Sequence, residues 1–265
     1  MSLRRFVRGT VEWERLEAVV REIGRRYGES PLRVSFLETD NWLSVPFVVD
    51  DRLFVKVVTP QNALVHAVFT GARNIGAFSS GTEGFFERFD GPVEMAEHEL
   101  RATRRMREVG LNVPDPIEAF EVDGLGVLVL GYLPEFRTLD SLDPAEVERF
   151  APALFEALAT MHENGLAHGD LRSENVIVHE GDLYFIDATN VRDDRLAEAR
   201  AYDLACALGA LTPLVGGRVT VAAALEHYST DVLLEAREFL DFVNLRPDHD
   251  FEATTVKGEI EKAAS

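Results

Sequence analysis

Three oxygen-bearing side chains in one short stretch carry the chemistry that this sequence offers. The stretch is HGDLRSENVIVHEGDLYFIDAT, residues 168–189. Asp170 and Asn175 stand five apart, and Asp187 follows Asn175 by twelve. Residues 176–178 and 183–186 are apolar runs of strand character, joined by a turn at 179–182 that holds Gly181. A hairpin of that length returns Asp187 to the end from which Asn175 starts, with Asp170 on the approach loop. Phosphoryl transfer needs this set: a carboxylate to orient the nucleophile and accept its proton, and an Asn and a second Asp for Mg²⁺. An ordinary acidic hairpin is the bland reading of the same residues.

A stretch of that kind must be positioned by a folded chain, and the composition allows one. With 265 residues and 46% hydrophobic content, the chain can bury a sizeable core as one two-lobed domain or two small ones. No apolar run approaches a membrane span, and the opening MSLRRFVRGT lacks the core of a signal peptide. A single cysteine, Cys206, excludes a disulfide framework and fits a reducing cytoplasm. The net charge of −19 argues against a general nucleic-acid surface and against anionic membranes. Lysine occurs only at Lys56, Lys257 and Lys262. High acid with scarce lysine resembles proteins of salt-in halophiles, haloarchaea above all; an acidic mesophilic surface is the alternative.

Upstream of the hairpin, residues 12–27 predict a helix with Trp13, Leu16, Val20 and Ile23 on one face, closing at Gly28. Residues 32–37, 45–49 and 53–58 alternate as strands. The third strand places Lys56 among apolar neighbours, where a charge must reach solvent or find a partner. Residues 59–92 read as a Gly-, Ser- and Phe-rich insertion; Ser79, Ser80 and Thr82 within it are candidate autophosphorylation sites or simply loop residues. A helix over 94–109 follows. Glu99 shares a stripe with Met95, Ala102 and Met106, the inward face, whereas Glu97 lies with Arg101, Arg104 and Glu108. Glu99 is therefore the better partner for Lys56. Strands at 117–122 and 127–132 turn about Asp123-Gly124, and a long helix over 143–164 contains Pro152, which predicts a kink or a late start. Helices are expected over 196–211, 220–228 and 231–244, and then a polar tail over 256–265, frayed or forming a short helix.

His168-Gly-Asp170-Leu-Arg172-Ser-Glu-Asn175 and Tyr184-Phe-Ile-Asp187 resemble the catalytic loop and metal aspartate of the protein-kinase-like superfamily. The HGD form is similar to RIO kinases, the small kinase of the KEOPS tRNA-modification complex and aminoglycoside phosphotransferases. Gly110-Leu-Asn-Val-Pro114, eleven beyond Glu99, resembles the turn after the corresponding helix in the same groups. The resemblance implies an α+β, two-lobed kinase-like fold: a small N-terminal antiparallel sheet with one main helix, and a mostly helical C-lobe. No long activation segment follows Asp187. The implied division is 1–30 as a helix on the N-lobe, 31–132 as the N-lobe, 133–250 as the C-lobe and 251–265 as tail.

It also implies ATP and Mg²⁺ as cofactors. Lys56 and Glu99 would align the phosphates, and Asn175 and Asp187 would hold metal. Asp170 would orient the nucleophile, and Gly131 and Leu133 would line the adenine at the hinge between the lobes. In RIO-like proteins the metal aspartate can itself take the phosphoryl group, here Asp187. Tyr202-Asp203 resembles the buried aspartate that braces the catalytic loop, and His168 is expected as an anchor. Arg172 stands either beside the transferred phosphate or at the surface. One departure stands out: residues 38–44, where kinases carry a glycine-rich loop, contain no glycine.

The resulting expectation is a RIO-like Ser/Thr kinase or ATPase in the cytoplasm, acting on a protein or small-molecule acceptor. By family analogy it would work within a larger ribonucleoprotein or tRNA-modification complex. The alternatives are a small-molecule kinase of the aminoglycoside type and a nucleotide-binding pseudokinase.

Overall fold

The structure is a computed structural model that describes residues 11–28, 32–37, 44–63, 89–188, 193–246 and 249–265. Residues 38–43 of the glycine-free loop and 64–88 of the insertion, with Ser79, Ser80 and Thr82, lie outside the described residues. The described chain divides into two compact units, the first made of residues up to 63, 89–104 and 114–134, the second of 105–113 and 135–265. Among the described residues, no helix is long and apolar enough to cross a membrane.

The first unit is a sheet with a helix on each face. Its strands are β1 (Val34–Phe36), β2 (Val45–Val49), β3 (Leu53–Val58), β4 (Pro116–Val122) and β5 (Leu125–Gly131). They run antiparallel in the order β1-β2-β3-β5-β4. Because strand side chains alternate, the parity of each position decides its face. Val55, Val57, Val127 and Val129 point with Phe47 and Val49 to helix α1 (Trp13–Tyr27), which buries Leu16, Val19 and Ile23 among them. Leu128 and Leu130 point the other way, to Ala96 and Leu100 of helix α2 (Pro92–Glu108).

Helix α1 ends where expected, at Gly28, whose φ of 73° lets its amide reach the Gly24 carbonyl. Its buried seam is Leu16, Val19 and Ile23, so the expected place of Trp13 on the inward face is corrected. Trp13 is 68% exposed and stacks at 6.3 Å on Phe36 of the edge strand instead of reaching the core. The β4–β5 hairpin turns through Asp123 and Gly124, both at positive φ, as an Asp-Gly pair favours.

The second unit is mostly helical. Helix α3 (Pro144–Glu163) starts directly after Asp143 and runs through Pro152, so the expected late start is not seen. Val147, Ala151, Leu154, Phe155, Leu158 and Met161 form a buried seam on both sides of the proline and hold the helix together. A small sheet of β6 (Arg137–Thr138), β7 (Val176–His179) and β8 (Asp182–Phe185) lies beside it. Helix α4 (Leu196–Val215) is buried all round from Ala201 to Thr212 and forms the unit's centre. The helix begins nine residues after Asp187, which leaves no room for a long activation segment.

Helices α5 (Gly217–Leu225), α6 (Thr230–Arg237) and α7 (Leu240–Asn244) follow. The single helix expected over 231–244 is thus two, the first capped by Ser229, whose Oγ accepts from the Val232 amide. The tail takes the short helix its sequence left open, starting at Ala253, and is buried on one face instead of frayed. Residues Ala253–Ala263 form helix α8, whose Ala253, Val256 and Ile260 recur at helical spacing and are buried against α5 and α6. The polarity of the tail belongs to its outer face.

Gly126 opens β5 against the start of α2: a Cβ there would lie 2.0 Å from the Pro92 carbonyl oxygen. Backbone cannot yield as a flexible side chain can. Gly126→Ala is expected to destabilise the protein by about 2 kcal/mol in chemical denaturation, and an unchanged midpoint would contradict this packing.

Candidate active site

Lys56 lies on the α2 face of the sheet because its register partner is Leu128, which packs against α2. On α2 the residues turned inward are Ala96, Leu100, Thr103 and Met106, with Glu99 between them. Met95 and Ala102, expected on that stripe, are only half-buried. Lys56 Nζ donates to both Glu99 oxygens, at 2.8 and 3.1 Å. Both side chains are nearly buried, so each is the answer to the other's desolvation.

Gly131 and Leu133, expected to line an adenine, sit at the end of β5 and just beyond it. The Gly131 amide donates to the Asp115 carbonyl at 2.8 Å, and a Cβ at this glycine would meet the Asp115 side chain at 3.0 Å. Close approach to Asp115 therefore accounts for the glycine without a ligand. Leu133 is half-buried.

In the second unit the β7–β8 hairpin turns at Glu180 and Gly181, both at positive φ. Its register pairs Val176 with Phe185, and one step further the Ile186 amide donates to the Asn175 carbonyl at 3.1 Å. Asn175 and Asp187 are thus brought to one end of the hairpin. The Asn175 amide nitrogen in turn donates to the Asp170 carbonyl at 2.7 Å and fixes the approach loop.

The loop is held from below by Asp203 of α4, which is fully buried. Its two carboxylate oxygens accept the amides of His168 at 2.5 Å and Gly169 at 2.7 Å. Two successive amides converge on one carboxylate only if the backbone curls, and Gly169 supplies the curl with φ of 76°. His162 lies against the same carboxylate at 3.4 Å and bonds the Tyr228 hydroxyl through its other nitrogen.

His168 is an anchor, as expected, and its protonation state follows from its partners. Nε2 lies 2.9 Å from the Ile186 carbonyl, which can only accept, so Nε2 carries the proton. Nδ1 accepts the Asp170 amide at 3.3 Å. Burial holds the imidazole below its ordinary pKa, against the opposing fields of Asp203, Asp170 and Asp187. It is a neutral spacer.

Ile186 is thereby pinned at both its amide and its carbonyl. The next residue, Asp187, sits in the left-handed region at φ 62°, a conformation tolerated by aspartate and sustained here by those two bonds.

The Asp170 carboxylate has a neighbour that no motif announces. Its Oδ1 accepts from Arg246 at 2.7 Å, while its Oδ2 lies 3.5 Å from Arg172 Nε. Arg246 follows α7, seventy-six residues beyond Asp170, and no spacing in the sequence links the two. The only signal was a basic residue beside an apolar run.

Asn175 and Asp187 offer a neutral and a charged oxygen, a donor set that suits a hard divalent cation. Among the described residues, no group of three His, Cys, Asp or Glu side chains gathers to hold a metal by itself.

The chain is similar to known proteins over part of its length. Residues 91–201 match the RIO domain. The KEOPS complex subunit Bud32 of Pyrococcus abyssi is 35% identical over 115 residues, 42% of this chain and 51% of that protein. A probable bifunctional tRNA threonylcarbamoyladenosine biosynthesis protein of Methanothermobacter thermautotrophicus is 32% identical over 98 residues, 34% of this chain and 18% of that protein. Over these residues the chain resembles the atypical, RIO- and KEOPS-type kinases. The matches span about half the length of the first relative and under a fifth of the second. The fold itself is also that of an aminoglycoside-3'-phosphotransferase of type VIII, with a TM-score of 0.53 at 18% identity over 88% of this chain and 100% of that one. The RIO match takes in Glu99, Asp170, Asn175 and Asp187; Lys56, Asp203 and Arg246 fall outside it.

Removing the Asp203 carboxylate leaves two buried amides without an acceptor. Asp203→Ala is expected to cost about 3 kcal/mol or more in urea unfolding, with Asp203→Asn, which keeps one acceptor oxygen, losing less. Equal stability of all three proteins would contradict the brace.

Proposed function

We propose that this protein is a Mg²⁺- and ATP-dependent phosphotransferase of the RIO and KEOPS type whose principal turnover is ATP hydrolysis. The observation that carries the reading is the loop on Asp203, which sets Asp170 beside Asn175, joined to a hairpin whose register brings Asn175 level with Asp187. Asp170 orients the attacking oxygen and receives its proton. Asn175 and Asp187 hold the cation, which when bound neutralises phosphate charge. Lys56, fixed by Glu99, aligns the phosphates. Gly131 and Leu133 belong to the stretch that would meet the adenine.

Water is the acceptor favoured here, because docking of a peptide substrate normally uses an activation segment and this chain has only residues 188–195 before α4. The two archaeal relatives carry KEOPS and tRNA threonylcarbamoyladenosine biosynthesis in their names. On that basis the partner class proposed is a tRNA-modification assembly in the cytoplasm. Its protein subunits, and not bare RNA, are the expected contacts of a chain with net charge −19. The acidic, lysine-poor surface further suggests a high-salt interior as its working medium.

ATP hydrolysis with Mg²⁺ in molar KCl tests the assignment on wild type, Asp170→Ala, Asp187→Ala and Lys56→Met. Each variant is expected to lose on the order of a hundredfold or more in kcat/KM. Hydrolysis that survives both aspartate changes would discard the enzyme reading. A wild type that is silent yet stabilised by nucleotide on heating would make it a binding module.

A further inference from the structure

Arg246 is a buried guanidinium to which the reaction as proposed gives no role. The turn after α7 separates it sharply from its neighbour: Leu245 is 81% exposed, Arg246 only 8%. The turn is closed by the Arg246 amide on the Val243 carbonyl and by the His249 amide on the Arg246 carbonyl. From there the side chain runs inward to α4, where it bonds the hydroxyl of Tyr202, and its other terminal nitrogen reaches Asp170 Oδ1 at 2.7 Å. Cys206 Sγ lies 3.9 Å from the nitrogen that meets Tyr202. Burial pushes the Cys206 thiol up to about 12, so it stays neutral and Asp170 is the charge partner.

We infer that Arg246 is the positioning residue of Asp170: it anchors Oδ1 and leaves Oδ2 as the oxygen that faces the attacking group. The inference rests on the phosphotransfer reading above. Adjacent residues of α4 then divide the work. Asp203 fixes the loop's backbone through the amides of His168 and Gly169, and Tyr202 fixes the loop's working side chain through Arg246.

The two arginines at Asp170 differ in kind. Arg246 is nearly buried, gripped at two points and within hydrogen-bond distance. Arg172 is more exposed, stands 3.5 Å from Oδ2 and is shared with Glu174 at 3.2 Å and with Asn175 Oδ1 at 3.5 Å. Displacing Arg172 loosens a longer, more exposed contact on Oδ2; displacing Arg246 would break a buried network. A buried ion pair is weak evidence of stability, since apolar residues of like shape often serve as well. Its value lies in fixing one rotamer of a carboxylate at the site, which reach and alignment reward.

Steady-state ATP hydrolysis by Arg246→Met, Arg246→Lys, Asp170→Asn and the double variant Asp170→Asn/Arg246→Met tests this. Arg246→Met is expected to lower kcat on the order of a hundredfold with the KM for ATP held within about twofold. Arg246→Lys should recover part of the loss, because it keeps the charge but not the two-point grip. In the Asp170→Asn background the same Arg246→Met change should cost less than about twofold, since nothing remains to be positioned. If Arg246→Met does not fold, Arg246→Lys and the double variant, in which no carboxylate is left unpaired, carry the comparison. Equal losses in both backgrounds, or a KM effect with kcat unchanged, would show a merely structural arginine and overturn the inference alone. A wild type without turnover overturns the functional reading and this inference with it.

Discussion

A carboxylate with no access to water, Asp203 on the most deeply buried helix of its unit, sets the geometry on which the rest depends. Buried anions are costly unless every oxygen is satisfied. Here the donors are two consecutive backbone amides, which makes the loop's conformation the condition of the helix's stability and the reverse. From that constraint the site propagates outward through side chains bonded to backbone and one backbone pair. His168 leaves the nest and meets Ile186; Ile186 meets Asn175; Asn175 returns to Asp170. The chemical groups hang from a closed circuit of hydrogen bonds in which the buried side chains of His168 and Asn175 are two of the links.

The first unit solves a separate problem by the same logic. The middle of its sheet is covered on both faces, so β2, β3 and β5 read as nearly continuous apolar sequence. A single lysine in such a strand has no route to water, and the parity of β3 leaves it only the face on which α2 lies. Glu99 follows as its partner from helix periodicity. The ion pair and the braced loop each come from one unit's own folding.

Much of this was legible in the sequence, for identifiable reasons. The hairpin at 176–185 and its level ends follow from strand length and a Gly-bearing turn, and Lys56 with Glu99 follows from periods of two and 3.6. The misreadings have a common cause: a seam is a property of what lies opposite. Trp13 has the right spacing for α1's buried face but overhangs the edge strand, and Val19 takes its place. The last helix looked polar because only Ala253, Val256 and Ile260 face inward. Arg246 was beyond reach for a stronger reason. Its role depends on a tertiary closure across seventy-six residues, and neither pattern nor propensity encodes such a meeting.

The central claim is that the β7–β8 hairpin, beside the loop on Asp203, delivers Asn175 and Asp187 as a joint seat for a cation and its phosphates. Calorimetric titration of ATP into the protein, with and without Mg²⁺, reads that seat directly. The account predicts that Mg²⁺ tightens ATP binding to the wild type and that Asn175→Ala and Asp187→Ala each remove most of that gain while remaining folded. ATP binding that is indifferent to Mg²⁺, or a Mg²⁺ gain that persists in both variants, would contradict it.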